Sequence, residues 1–179
     1  KFLFDGINLQ IFNAPIDLFI EDKLHRDYPE LRPFQFVSLV NLTLEGIKAV
    51  TNEKTVMLAP ASIISKSKIF NLISAMLLKE LYGVDFIDKF KASATELKTA
   101  EKLFAGFLEI REERSPGEEY LLVKSWGEKL ELSNLFELKE ENSYRSGYSE
   151  NTTSQNYLFE DRIKKKETEQ FIQSQKESG

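Results

Sequence analysis

From Ser65 to Tyr82 the chain offers Ile69, Leu72, Ile73, Met76 and Leu77 at the three- and four-residue intervals of an α-helix, then Gly83. Apolar residues recurring at i, i+3, i+4 and i+7 place one continuous stripe along a helix, which must be covered by other elements. Gly83 marks the end, because glycine enters the left-handed conformation of a helix C-terminus without a steric penalty. A helix this apolar predicts a central element with partners on more than one side. The rest of the chain must supply the elements that surround it.

Upstream, Asn13-Ala14-Pro15 reads as a helix opening, since proline in the first turn loses an N–H that would be unpaired anyway. Ile16, Phe19, Ile20 and Leu24 then form one apolar stripe, and Pro29 closes the segment. Pro33 opens a second helix whose expected core face is Phe36, Val37, Val40, Leu44 and Ile47. Thr51–Lys54 reads as a turn and Val56-Met57-Leu58 as a short strand. Downstream, Ser93–Glu96 and Ser115–Glu118 match the capping box, in which a hydroxyl and a carboxylate three residues apart satisfy each other's orphan N–H groups. At the N-terminus, Phe2, Phe4, Ile7, Leu9 and Ile11 alternate around Asp5-Gly6, which predicts a small β-hairpin with a type I′ turn. The expected fold is mainly α: a helical bundle-like domain of about five helices with that N-terminal hairpin, spanning residues 1–138. The Glu, Asn, Ser and Thr-rich stretch 139–157 reads as a flexible linker, and 158–179 as a polar helical tail.

Composition narrows the function classes. The chain has no cysteine, so disulfides, thiol nucleophiles and Cys-ligated zinc are excluded, and a reducing, cytoplasmic setting is the expectation. A net charge of −5 disfavours nucleic acid, which needs a basic face to displace counterions. The cluster Arg162, Lys164, Lys165 and Lys166 is interleaved with acidic residues and reads as a solvated helix face. No apolar run reaches the roughly 18 residues that span a bilayer, so no membrane association is expected. A chain that begins at Lys1 and stops just after a helix-like segment is expected to belong to a longer protein.

Two constellations carry candidate chemistry. Asp17, Glu21 and the single histidine, His25, lie at i, i+4 and i+8, which aligns two carboxylates and an imidazole on one helix face. Such a face offers metal ligands or an acid/base pair, or simply meets water. Asp17 and His25 are about 12 Å apart along a helix axis, too far to share one ion at bond lengths near 2 Å. Ser65–Lys68 matches S-x-x-K without the accompanying S-D-N and K-T-G elements, and reads as a serine-capped helix start.

Three stretches, Asn13-Ala14-Pro15-Ile16-Asp17-Leu18-Phe19-Ile20-Glu21-Asp22, Tyr28–Phe36 and Ser65–Leu72, together resemble the interior of uncharacterised bacterial zinc-metallopeptidase-like proteins. The resemblance covers about Asn13 to Trp126. It implies a peptidase whose H-E-x-x-H helix supplies two histidine ligands and a glutamate base, with a later helix giving an acidic third ligand. Asp17 and Glu21 then stand where that third ligand belongs. This chain contains no H-E-x-x-H, so zinc would bind only if a segment outside it contributes ligands. From a different class, a non-catalytic helical module that binds a protein partner fits the absence of any complete catalytic set.

Overall fold

The computed structural model describes residues 2–112, 117 and 119–138, and backbone alone for 2–5. Residues 1–137 make one compact unit. The linker 139–157, the tail 158–179 with its basic cluster, and all of the second capping box except Gly117 lie outside the described residues. Those described form six helices: α1 (Phe2–Asp27), α2 (Arg32–Thr51), α3 (Glu53–Leu58), α4 (Ala61–Tyr82), α5 (Ala94–Ile110) and α6 (Glu119–Lys129). Short 3-10 turns occupy Pro29–Leu31, Ile87–Phe90 and Ser133–Leu135. The mainly helical reading holds, and α4 is central: it packs against α1, α2 and α5, while α1 also meets α6.

The N-terminal hairpin is overturned, because no strand occurs among the described residues and Phe2–Asp27 is one helix. The two readings make opposite demands on Leu9. A strand puts Ile7, Leu9 and Ile11 on one face, whereas a helix sends Leu9 to the side away from the other two. Ile7 and Ile11 are 2% and 0% exposed, and Leu9 is 62% exposed. Burial on the helical period therefore outweighs the local turn preference of Asp5-Gly6. Gly6 sits in helix with open space around it, a placement that costs about 1 kcal/mol relative to alanine. Pro15 is likewise inside α1 rather than at its start, at the loss of the hydrogen bond its nitrogen cannot donate. Its ring is buried, in line with Ile7, Ile11 and Leu18.

The strand expected at Val56–Leu58 is helical too. Asn52 caps α3 by accepting the Thr55 N–H at 3.2 Å, which starts a new helix directly after α2. The core helix begins at Ala61, after Pro60, so Ser65 and Lys68 lie within it and not at its start. Gly83 ends it as expected, with φ 71° and its N–H donating to the Lys79 carbonyl at 2.8 Å. By length and composition α4 is the one described helix that qualifies to cross a membrane. Here nine of its residues, Leu72 and Ile73 among them, are buried in the core. The Ser93–Glu96 capping box forms in full, with Ser93 Oγ accepting the Glu96 N–H and Glu96 Oε2 accepting the Ser93 N–H.

The largest departure is the face of α2 that meets the core. Gln35, Leu39, Thr43, Gly46 and Val50 are buried, and Val37 and Leu44 of the expected core stripe are exposed. Thr43 manages burial by donating its hydroxyl to the Leu39 carbonyl at 2.8 Å. Gly46 lets the helix approach α4 so closely that a Cβ there would overlap the Asn71 amide.

Candidate functional site

Asp17 and Glu21 open onto one cleft of about 380 Å³ between α1, α2 and α4. Its walls combine apolar Leu18, Leu39, Phe70 and Leu77 with Asn71 and Ser74. One helical turn separates the two carboxylates. Partial burial, reinforced by the Glu21 charge, raises the Asp17 carboxyl above its ordinary value. Neither residue joins an ion pair among the described residues.

Glu21 is held by Gln35. The Gln35 Nε2 donates to the Glu21 carboxylate at 2.6 Å and to its backbone carbonyl at 2.7 Å. Behind it the Tyr82 hydroxyl lies 2.6 Å from Gln35 Oε1 and 3.0 Å from the Arg32 carbonyl. One phenolic proton serves one acceptor, and the shorter distance assigns it to Gln35. Burial is the main reason the Tyr82 hydroxyl titrates above its usual value; Arg32 works against the shift and Glu21 with it. This chain of bonds ties α1, α2 and the end of α4 at one end of the cleft.

His25 does not line the cleft. Its ring meets that of Tyr82 edge to face at 5.0 Å, and Arg32 Nε donates to its carbonyl at 2.8 Å. Burial and the neighbouring Arg32 charge lower the imidazole's pKa, with Asp22 partly opposing them. Of the predicted trio, then, the fold brings Asp17 and Glu21 to a shared cavity and sets His25 against an aromatic ring. Among the described residues no group of three His, Asp or Glu side chains converges to hold a metal ion. The donors present do not make a zinc site by themselves.

The expected α1 stripe is rotated as well. Ile20 is exposed, and Asp22 is buried in its stead, facing Arg26 at 3.4 Å and Arg111 after α5 at 3.5 Å. Ser65 and Lys68 converge on Glu96 rather than on a reaction centre. Burial would raise that carboxyl, but the Ser93 N–H, the Ser65 and Ser93 hydroxyls and Lys68 hold it below its ordinary value. The S-x-x-K match is thus part of the brace between α4 and α5.

No sequence motif singles out Gln35, Tyr82 or Asn71. For the first a signal is present in the spacing: Gln35, Leu39, Thr43, Gly46 and Val50 share one helical face, on which a glycine and a threonine serve as core residues. No protein-family model, no curated protein and no solved structure matches the chain.

The second surface feature is apolar. Phe34 is 75% exposed, Met57 and Leu58 are each 84% exposed, and Val37, Leu44 and Val56 are also open to solvent. All belong to the continuous segment α2–α3. Large side chains concentrated in one segment differ from the singly scattered apolar residues that any surface carries.

Proposed function

We propose that residues 1–138 form a non-catalytic helical module that binds a protein partner through the outer face of α2 and α3. The observation that carries this reading is the exposure of Phe34, Val37, Leu44, Met57 and Leu58 on that face. Fully burying a side chain of this kind is worth roughly 1.5–3 kcal/mol relative to full exposure, and each of these forgoes the share of it that its exposed part represents. A partner that covers them recovers it.

The test is co-purification of cross-linked partners from cells that make the protein. A partner recovered with the parent chain is lost with Phe34→Asp and with Met57→Asp, and retained with Leu121→Asp, whose site on α6 is also exposed. Retention by all three variants removes this face from the reading.

A zinc-metallopeptidase-like role is the second reading. It is supported by one observation: Asp17 and Glu21 share a cleft and have no cationic partner among the described residues. It needs histidine ligands from a segment outside these 179 residues. Zinc titration of a chain carrying such a segment, beside its Glu21→Gln variant, tests it. Equal affinity of the two chains removes Glu21 from the site.

A further inference from the structure

Phe34, Val37, Asn41, Leu44 and Lys48 succeed one another at intervals of three, four, three and four residues. That is the a/d spacing of a coiled-coil seam, and a sequence with this repeat presents a straight line of knobs to a second helix. All five residues are exposed. Leu39 and Gly46, on the opposite side of α2, are buried against the rest of the fold. The seam therefore points outward along a helix held rigidly from behind. From Phe34 to Lys48 it is about 21 Å long at 1.5 Å per residue.

Resting on the interaction reading above, we propose that the partner is a second copy of this chain, its α2 packed antiparallel to the first about a two-fold axis at Asn41. The order of the seam supports this occupant. In a symmetric interface the residue on the axis meets itself, and a carboxamide, with both donor and acceptor, is satisfied by its own copy. Running outward from the axis, Val37 comes beside Leu44 of the other copy. Phe34 comes level with Lys48, whose aliphatic stem and ammonium suit an aromatic face. A parallel pairing would set Lys48 against Lys48 and align the two helix dipoles; the antiparallel one separates the charges and opposes the dipoles. It also brings the exposed Leu31 end of one helix toward the exposed Met57-Leu58 end of the other. A stable interface takes roughly 800 Å² from each partner, which side chains of this size and exposure supply in order of magnitude.

The absence of cysteine makes the geometry directly readable. Sedimentation equilibrium of the full chain is expected to show a concentration-dependent dimer. Leu44→Asp, present twice in a symmetric interface, raises its dissociation constant at least about tenfold. A disulfide requires Cα atoms within roughly 7 Å. Under mild oxidation Asn41→Cys therefore links to itself, and Phe34→Cys links to Lys48→Cys but not to itself. Circular dichroism of each variant confirms that helix content is retained. Self-linking of Phe34→Cys, a dimer indifferent to Leu44→Asp, or a monomer at hundreds of micromolar overturns the proposal. A monomer that still captures another protein through Phe34 and Met57 sinks the self-association alone. A monomer that captures nothing sinks the interaction reading with it.

Discussion

At Gly46 the backbone of α2 meets the side chain of Asn71 on α4, and adding one methyl group there puts a magnitude on the contact. A Cβ at this position would overlap Asn71 Oδ1, stand 2.8 Å from Asn71 Cγ and 3.3 Å from Asn71 Cβ. The amide can leave only by rotating, which breaks the 2.8 Å bond that Asn71 Nδ2 donates to the Ser67 carbonyl. Losing such a bond costs about 0.5–1.5 kcal/mol. Overpacking of a close helix contact adds roughly 1–3 kcal/mol, because the Asn71 Cβ is fixed by its own helix. Against this, alanine for glycine inside a helix returns about 0.5–1 kcal/mol of backbone entropy. Gly46→Ala is thus expected to destabilise the fold by about 1–3 kcal/mol, measured by urea unfolding followed by circular dichroism with the denaturant slope unchanged. Asn71→Ala removes Cγ and Oδ1 and leaves only the 3.3 Å neighbour, which a shift of a few tenths of an ångström relieves. The double variant should therefore be more stable than the sum of the single losses by about 1 kcal/mol or more. Simple additivity, or a Gly46→Ala chain as stable as the parent, refutes the argument that glycine sets the spacing of α2 and α4.

Leu72, fully buried on α4, should lose about 2–5 kcal/mol on truncation to alanine, and a loss under about 1 kcal/mol in thermal or urea unfolding would mean α4 is not the central helix. Ser93→Ala removes the hydroxyl half of the α5 capping box and is expected to cost about 1 kcal/mol, with faster amide exchange in the first turn of that helix as the local signature. Asp17 binds its proton more tightly in the folded chain than in the unfolded one. The stability it contributes is complete below the unfolded pKa and is lost as pH rises through the folded one. Asp17→Asn should then melt higher than the parent near neutral pH, with the gap closing on acidification; a gap that widens in acid contradicts the assignment.

Elements whose signals are local were legible in the amino-acid order. The end of α4 at Gly83 and the start of α5 at Ser93 follow from backbone geometry and hydrogen bonds made within a few residues, and the packing of the fold leaves both in place. The dominance of α4 was legible for a related reason, since a stripe so apolar has no stable alternative to burial. The joint placement of Asp17 and Glu21 was legible as an i, i+4 relation on one helix. What those residues face was not, because the cleft is closed by Asn71, Ser74 and Leu39 from elements far away in the chain. Two further features belonged to tertiary structure alone. Asp5-Gly6 satisfies the local rule for a hairpin, yet the core accepts Ile7 and Ile11 only on the helical period. Along α2 two stripes compete, an apolar one through Val37 and Leu44 and a smaller one through Leu39, Thr43 and Gly46. Close packing against α4 selects the smaller stripe, because a glycine and a threonine let two helix backbones approach where leucine would hold them apart. The larger stripe is turned outward by that choice, and the candidate binding face exists because of it.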